Sequence, residues 1–511
     1  MLLESLPTDL LARIFMNLEL EMLSRCDQLS RLFHGQDSPV EKALRQLAND
    51  GRYGVPEMLP SNHANWTQAL LFGAMLRRNS HRKLIGILEF HSAFVDADGT
   101  FLICGWDTKV FEKDNSLLGH GVDEFRQSIP KPIQGLEGVR VLSIAAHWNH
   151  MVVLAADGTA FSWGTGICGQ LGHGEDDQDV KLPQRIMGLI NVRGIATEFT
   201  HTLATTSDGA LWSWGHNFWA DNECGWLGHG DECCWEYRPR RLEALGDKYI
   251  CAIAVDNQMS YAIDADGGSF AWGNSSKSKE LGIGLLQQLP VRIPALSGEL
   301  VSTIAAYYGD GCATTWQGDV WQWGSWAGVT LPPTPLKGTP LDGHRVVSVD
   351  VSTIILALTD DGTVFSWACS APCSDPLGHG DGPDTSDELL CTPRPLKALL
   401  GQRICSISDS AVAGWANTAA TSATDGEVAA ASCLQPWACW TWGKIPNEVH
   451  GYRERLGHGS DRVDTNLPQR VMAIGAGAPL TATATSTTPP SCESGESWDD
   501  SSASSDSGSG E

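Results

Sequence analysis

Five histidines occupy matching positions in a repeated Leu-Gly-His-Gly segment, and they are the residues whose type and spacing could do chemistry. They are His120, His173, His229, His379 and His458. An imidazole can bind a metal ion or transfer a proton near neutral pH. Each of the five belongs to a different repeat, so they are expected to lie apart rather than to form one ligand set. Hydrogen bonds that stabilise the loop are the favoured interpretation, and a metal or proton role is the alternative.

Sequence patterns typical of catalytic sites are absent. The chain has no Gly-x-Ser-x-Gly segment, no phosphate-binding loop and no zinc-protease helix. Its fifteen cysteines have no regular spacing, and Cys233-Cys234 and Cys369-x3-Cys373 do not make a zinc signature. We predict no enzymatic activity for the chain itself, no cofactor and no bound metal.

The elements that position these histidines belong to a longer repeat, which occurs seven times between His91 and Gly443. Each copy has a turn, Asp-Gly or a close variant, followed by Trp-Gly, except that the first copy has Cys104-Gly105 and the sixth has Trp367-Ala368. In most copies the tryptophan comes five residues after the glycine. The seven turns are Asp98-Gly99, Asp157-Gly158, Asp208-Gly209, Asp266-Gly267, Gln317-Gly318, Asp361-Gly362 and Asp425-Gly426. Self-similarity at this period is the mark of a repeat architecture.

One repeat predicts four short antiparallel strands. In the second copy, Val139 to Ala146 and Met151 to Ala155 are apolar runs, and Asp157-Gly158 suits a two-residue hairpin. Thr159 to Trp163 returns as a third strand, and the segment that begins at Pro183 supplies a fourth at the edge. Such a sheet cannot bury both faces alone, whereas units packed side by side around a ring can. We also expect a strand near Leu84–Leu88 to complete the last sheet and lock the ring.

These turns, the Trp-Gly pairs, the Leu-Gly-His-Gly loops and a late Pro-x-Arg resemble the regulator of chromosome condensation repeat family. The resemblance implies a seven-bladed β-propeller over residues 84–474. Units four, five and six depart from the pattern: Leu281-Gly282-Ile283-Gly284 replaces the loop in unit four, unit five has none, and Ala368 replaces a glycine in unit six. The last unit is the least regular, because it carries an insertion between its turn and Trp442.

The first residues differ in kind from the repeats. Apolar residues from Leu10 to Leu18 recur with the period of an amphipathic helix, and Pro7 suits the first helical turn. The order of these residues resembles an F-box, which implies that they dock on the Skp-type adaptor of a cullin–RING ubiquitin ligase. The residues that would bind the adaptor are Leu6, Pro7, Leu10, Leu11, Ile14, Phe15, Leu18 and Leu23. The alternative is a helical cap that packs on its own propeller.

The predicted organisation is therefore an F-box-like helical domain over residues 1–38, a helical linker over 39–83, the propeller over 84–474 and an acidic tail over 475–511. The fold class is mainly β, with a seven-bladed β-propeller preceded by a small all-α domain. The tail is rich in Ser and acidic residues, a composition typical of disorder.

Net charge favours a basic protein as the partner. The formal charge is −26, of which −6 falls on residues 479–511, −1 on residues 1–80 and −19 on the rest. A surface this acidic repels phosphate backbones, so we expect no nucleic acid partner. No apolar run reaches the length of a membrane span, and no secretory signal is recognisable, so we expect no membrane and a cytoplasmic or nuclear location.

Two function classes follow. The preferred hypothesis is a substrate-recognition subunit of a cullin–RING ubiquitin ligase, which binds its target through one propeller face. The family resemblance supports a second hypothesis, a nucleotide-exchange factor for a Ran-like small GTPase. A scaffold without catalytic activity is a third.

Overall fold

The structure is a computed structural model that describes residues 42–43 and, with gaps, residues 83–470. The gaps are 88–90, 97, 107–108, 111–112, 115–117, 119–125, 148–149, 175–178, 217–224, 231–234, 275–280, 285, 327–328, 353, 369–376, 380–385, 401–402, 413–414, 424–437 and 444–464. All described residues belong to the compact unit Met1–Ala476. The second unit, Gly477–Glu511, lies outside the described residues.

The second repeat shows how the sequence produces a four-stranded sheet. Gly158 has a φ of 82°, which the hairpin turn requires. The Asp157 carboxylate accepts a 2.9 Å hydrogen bond from the Thr159 N–H and fixes the turn. The strands on either side of the turn are consecutive in the sheet, as predicted. The Asp-Gly dipeptide therefore forms the turn of the hairpin between the second and third strands of a unit.

The first three sheets are built from strands that follow one another along the chain. The first comprises β1 (Ile85–Ile87), β2 (His91–Val95), β3 (Phe101–Trp106) and β6 (Arg126–Pro132), with the hairpin β4 (Lys109–Val110) and β5 (Lys113–Asp114) inserted between β3 and β6. The second comprises β7 (Val141–His147), β8 (His150–Ala155), β9 (Ala160–Gly164) and β10 (Val180–Arg185). The third comprises β11 (Val192–Thr197), β12 (His201–Thr206), β13 (Leu211–His216) and β14 (Trp235–Arg241).

The next three sheets repeat this order. The fourth comprises β15 (Ile250–Asp256), β16 (Met259–Asp264), β17 (Ser269–Asn274) and β18 (Leu286–Arg292). The fifth comprises β19 (Val301–Tyr307), β20 (Asp310–Thr315), β21 (Val320–Trp326) and β22 (Val329–Pro335). The sixth comprises β23 (Val346–Val351), β24 (Ile354–Thr359), β25 (Val364–Ala368) and β26 (Arg394–Pro395).

The core lies between consecutive sheets and not within any one of them. Each apolar cluster draws buried residues from two neighbouring sheets, and a tryptophan near the end of the third strand is fully buried in blades two to six. These tryptophans are Trp163, Trp214, Trp272, Trp323 and Trp367. Phe101 of the first sheet meets Trp163 of the second edge to face, with ring centroids 5.4 Å apart. The pairing of sheets predicted from the repeat is therefore what buries the apolar surface.

The predicted fold class, a seven-bladed propeller preceded by a small all-α domain, is wrong as stated. The described residues form a mainly β propeller. Six of its blades share the same order of four antiparallel strands, and buried apolar residues of these blades are described. A last sheet comprises β27 (Arg403–Val412), β28 (Trp415–Ala423), β29 (Ala438–Gly443) and β30 (Thr465–Arg470). Its first two strands have 10 and 9 residues, so this hairpin is longer than any equivalent one in the six blades. The insertion seen in the sequence marks a unit that is not equivalent to the others.

The predicted closure of the ring is also wrong. The strand β1 pairs with β2 in the first sheet, through Ile85↔Phe94, and the last sheet is completed by its own four strands. The first and last sheets instead meet side by side, where the Leu84 N–H donates a 3.4 Å hydrogen bond to the Ser406 hydroxyl. Because each sheet is already complete, no strand needs to be exchanged between the chain ends.

Helices are minor elements of the described part. They comprise α1 (Asp387–Leu390), three 3-10 turns (Glu243–Leu245, Pro294–Leu296 and Lys397–Leu399) and the two helical residues 42 and 43. The described residues contain no all-α domain; the predicted F-box-like domain over 1–38 lies outside them, as does nearly all of the linker over 39–83. None of the described helices is long and apolar enough to span a membrane.

Gly215, at the end of β13, lies close to the backbone of the turn before β12, and a substitution there tests this close approach. Its φ is 110°, and a Cβ there would lie 2.2 Å from the Thr200 carbonyl oxygen. The variant Gly215→Ala should lower the free energy of unfolding by about 3 kcal/mol or more, because a steric clash adds to the backbone strain. Urea denaturation measures the change.

Gly188→Ala is the matched control for this variant. Gly188 has a similar φ of 89°, yet nothing lies within 4 Å of a Cβ there. It should cost about 1 kcal/mol, from backbone strain alone. Equal losses in the two variants would show that the approach of Thr200 does not constrain the blade.

Candidate functional site

One end of the propeller carries both the turns between first and second strands and the loops between third and fourth strands, and we call it the loop face. His201 at the start of β12 pairs with Gly215 at the end of β13, which places the turn before β12 beside the loop after β13. His150 and Gly164 pair in the same way in the second blade. Hairpins of the Asp-Gly type lie at the opposite ends of these strands.

The histidines of the Leu-Gly-His-Gly loops hold those loops against their own blades. In the third blade, the Ser213 hydroxyl donates a 2.8 Å bond to the Leu227 carbonyl and lies 2.9 Å from His229 Nε2. The same arrangement joins Ser162, Leu171 and His173 in the second blade, and Ser366, Leu377 and His379 in the sixth. The predicted loop-stabilising role is confirmed for these three histidines. His120 and His458 lie outside the described residues.

Each of two loops also receives a hydrogen bond from the next blade. The Trp214 indole Nε1–H of the third blade donates a 2.9 Å bond to the carbonyl of Gln170, which precedes the second blade's Leu171. Trp272 Nε1 donates a 2.8 Å bond to the Trp226 carbonyl in the same way. A hydroxyl on the second strand, that of Thr202 or Ser260, donates to the same carbonyl. The loop of one blade is therefore a structural part of the next.

A row of charged and polar residues lies where the first strands end at the loop face, in the turns that lead to the second strands. We call these turns the inner turns. His147 Nε2 of the second blade lies 2.8 Å from Glu198 Oε1 of the third, and both side chains are largely buried. This contact joins two blades at the innermost strands, which contact each other around the ring.

Asp256 is the buried carboxyl of the next inner turn. Its Oδ2 accepts a 2.6 Å bond from the Gly309 N–H of the fifth blade, and its Oδ1 accepts one of 2.6 Å from the Asn257 N–H. Burial, and then the nearby Glu198 carboxylate, raise the pKa of Asp256 to about 7, although the backbone N–H groups oppose the shift. This carboxyl therefore changes its charge near neutral pH.

Two buried histidines beside the inner turns carry no charge. Burial lowers the pKa of His150 to about 3 and that of His201 to about 3. His150 Nε2 contacts the Thr197 hydroxyl, and His201 Nε2 lies 3.0 Å from the Ser260 hydroxyl of the next blade. Both rings therefore bridge neighbouring blades as neutral groups.

Tyr308 is an exposed residue of the inner turns. It occupies the inner turn of the fifth blade with a φ of 48°, an unusual backbone conformation for a bulky side chain. Its side chain is 60% exposed, and its ring meets that of Tyr307 edge to face at 4.6 Å. The next residue, Gly309, is the one that donates to Asp256. An exposed aromatic ring on a strained backbone is a candidate contact for a partner.

Sequence reasoning missed the inner turns as a site. The sequence pattern that could have predicted this site is a polar or aromatic residue that recurs at the end of successive first strands. These residues are His147, Glu198, Asp256 and Tyr307. The predicted adaptor-binding residues, Leu6, Pro7, Leu10, Leu11, Ile14, Phe15, Leu18 and Leu23, lie outside the described residues. Among the residues that the structure describes, no three His, Cys, Asp or Glu side chains are grouped so as to hold a metal ion.

Asp256→Asn tests the raised pKa. A carboxyl whose pKa is higher in the folded than in the unfolded protein destabilises the fold as it ionises, so its cost grows from about pH 4 to pH 7. The asparagine variant lacks this cost, so its stability relative to the wild type should rise over that range by an amount on the order of 4 kcal/mol. Urea denaturation at pH 4, 5.5 and 7 measures the difference, and a constant difference would contradict the assignment.

The repeat is recognised by comparison with known proteins. The sequence model of the regulator of chromosome condensation (RCC1) repeat matches residues 157–204, from the turn of the second blade into β12. Human E3 ubiquitin-protein ligase HERC2 is 29% identical over 332 residues, which are 61% of this chain and 6% of HERC2. The Arabidopsis thaliana ultraviolet-B receptor UVR8 is 29% identical over 321 residues, which are 60% of this chain and 70% of the receptor.

Solved structures share the fold. Prp20p from Saccharomyces cerevisiae is 17% identical, with a TM-score of 0.58 over 78% of this chain and 89% of its own. Human WBSCR16 is 20% identical, with a TM-score of 0.51 over 64% of this chain and 85% of its own. The chain thus carries an RCC1 repeat and is similar in sequence and fold to RCC1-like propeller proteins.

Proposed function

We propose that the propeller binds a basic protein through the inner turns of its loop face and presents it for ubiquitination. The observation that carries the binding role is Tyr308, which is exposed and held at positive φ beside the buried Asp256. The face of an aromatic ring attracts Lys and Arg side chains, and nearby carboxylates add to the attraction. The charge of −19 on residues 81–478 supports a basic target.

The ligase half of the proposal rests on the sequence of residues 1–38. Leu6, Pro7, Leu10, Leu11, Ile14, Phe15, Leu18 and Leu23 would bind the Skp-type adaptor, and residues 39–83 would link this domain to the propeller. The role would be non-covalent, because holding a target near the ubiquitin-loaded enzyme raises its effective concentration. That HERC2, a relative of this propeller, is an E3 ubiquitin-protein ligase is compatible with a place in ubiquitin transfer.

A second candidate is nucleotide exchange on a Ran-like small GTPase. Its support is the fold shared with Prp20p, whose crystal structure was described with its binding to Gsp1p and histones. A basic histone-like target is compatible with the first candidate as well. Nucleotide exchange needs a propeller face that contacts the GTPase, and the loop face offers the exposed aromatic residue Tyr308.

Leu10→Asp combined with Phe15→Asp tests the adaptor site. Charges at these positions should abolish co-purification with a Skp-type adaptor, because both side chains would be buried in that interface. Tyr308→Ala is the matched control: it should keep the adaptor and lose the basic proteins that co-purify with the wild type. Full retention of the adaptor by the double variant would refute the F-box assignment.

The exchange reaction is tested by release of a fluorescent guanine nucleotide from a Ran-like GTPase. Under the first proposal, the full chain leaves the rate of release unchanged at micromolar concentration. An acceleration that Tyr308→Ala removes would support the second candidate and would place the GTPase on the loop face.

A further inference from the structure

Tyr308 occupies a two-residue hairpin turn that suits glycine or asparagine better than tyrosine. Tyr307 and Asp310 pair across the turn, so Tyr308 and Gly309 are its two central residues. Their φ values are 48° and 82°, and positive φ at both central positions is typical of a type I′ turn. Among the non-glycine residues that the structure describes, only Asn191 shares a positive φ with Tyr308. A bulky side chain in this conformation needs an interaction that holds it there.

The interaction that holds this turn comes from the neighbouring fourth blade. Asp256 Oδ2 accepts a 2.6 Å hydrogen bond from the Gly309 N–H, and the Tyr308 backbone also favours the charged form of this carboxyl. Successive backbone N–H groups of a turn form a concave site for an anion. The other oxygen, Oδ1, accepts a 2.6 Å bond from the Asn257 N–H of its own blade. The carboxyl of one blade is therefore fixed on one side and bonded to the turn of the next blade on the other.

Other titratable groups face the Asp256 carboxyl from the third, fourth and fifth blades. Glu198 of the third blade repels its negative charge, and His147 of the second blade contacts Glu198 at 2.8 Å. Tyr261 lies in the strand that follows Asp256. Burial, and then the charges of Asp256 and Asp310, raise the pKa of the Tyr261 phenol well above its ordinary value, so it stays protonated.

The hydrogen bond to the turn depends on the charge of Asp256. Its pKa of about 7 means that the carboxyl is mostly ionised at about pH 8 and mostly protonated at about pH 6. A hydrogen bond to a carboxylate is about twice as strong as one to a neutral acceptor, so the turn is held more firmly by the ionised form. Ionisation still lowers the stability of the whole fold, because burial of the charge costs more than the N–H groups recover.

We propose that Asp256 is the residue that positions Tyr308 for contact with a partner, and that partner binding is therefore stronger above neutral pH than below it. The Tyr308 side chain is 60% exposed and makes the contact, whereas Asp256 is buried and acts through the turn. The inference rests on the proposed function, because it specifies what controls the surface that the target contacts.

The tyrosine rings of the full chain test this role without any partner. The chain has seven tyrosines, so labelling their rings with ¹³C gives few signals, and Tyr308→Phe and Tyr261→Phe assign two of them. The Tyr261 signal should shift in one step centred near pH 7, because this ring lies beside the ionising Asp256. The Tyr308 signal should shift with the same midpoint, because its edge-to-face contact with Tyr307 changes with the turn. Asp256→Asn should abolish both steps.

Asp264→Asn is the matched control, because Asp264 is a second buried carboxyl of the fourth blade. Its Oδ1 accepts hydrogen bonds of 2.7 Å from the Gly268 N–H and 3.0 Å from the Asp266 N–H, both within its own hairpin. This variant removes a buried carboxyl without touching the turn of the fifth blade. It should therefore keep the pH-dependent step of the Tyr308 signal.

Glu198→Gln changes the midpoint rather than the step. It removes the carboxylate that, after burial, raises the pKa of Asp256, so both tyrosine signals should shift at a lower pH than in the wild type. A wild-type Tyr261 step without a Tyr308 step would show that Asp256 ionises but does not position Tyr308. That result, or the absence of both steps from the wild type, would overturn the proposal.

Binding is measured with a capped tetra-arginine peptide, whose charge is the same at pH 6 and pH 8. The wild type should bind it about tenfold more tightly at pH 8, and Asp256→Asn should bind it equally at both. Tyr308→Ala should lose this pH dependence; if it keeps it, Asp256 attracts the peptide by charge alone and the positioning role is wrong. Equal binding by the wild type at both pH values would contradict the proposal as well. No binding at either pH would contradict the proposed function instead, and the tyrosine signals would still decide the role of Asp256.

Discussion

The hydrogen bond from a buried tryptophan indole to a carbonyl in the neighbouring blade's loop is the interaction on which the rest of this structure depends. A four-stranded sheet is too small to bury both of its faces, so each blade needs its neighbours. Trp214 and Trp272 each join neighbouring blades in two ways. The indole ring packs between the two sheets, and its N–H donates a hydrogen bond to the adjacent loop. The same loop is held from its own blade by Ser213 and His229 or their equivalents. The described parts of the loops of the second and third blades are therefore held by hydrogen bonds from two blades.

Two carboxyl groups lie at buried positions of the inner turns, where burial disfavours their charged form. Glu198 and Asp256 are buried in the inner turns, and the carboxyl of Asp256 is satisfied by backbone N–H groups of two blades. An apolar residue would fill such a position without the desolvation cost. Positions that weaken local stability are typical of functional surfaces, and here they adjoin the exposed Tyr308. The inner turns therefore combine fixed geometry with buried carboxyl groups beside an exposed aromatic ring.

Departures from the repeat are as informative as its regular copies. The fifth blade has a two-residue connection between β21 and β22, where the second blade has a loop of fifteen residues between β9 and β10. The last sheet has a longer first hairpin than the six regular blades. Variation of this kind is tolerated because each sheet contacts only its two neighbours, so a change in one unit is felt one blade away.

The sequence by itself determined the local elements of this protein. Turns such as Asp157-Gly158 require a residue that tolerates positive φ, and strands alternate in a short-range pattern, so both are legible without tertiary information. The loop role of His173, His229 and His379 was also predictable, because their serine partners lie only 11 to 16 residues away. Tertiary structure alone decided the rest. Glu198 meets His147, and Asp256 meets Gly309, across about 50 residues of sequence, and only the packing of blades sets those distances. The edge that the first strand pairs with, the number of equivalent blades and the protonation of Asp256 likewise depend on which sheets become neighbours. The local sequence pattern does not predict which sheets become neighbours, because burial and pairing between blades depend on the packing of all the blades.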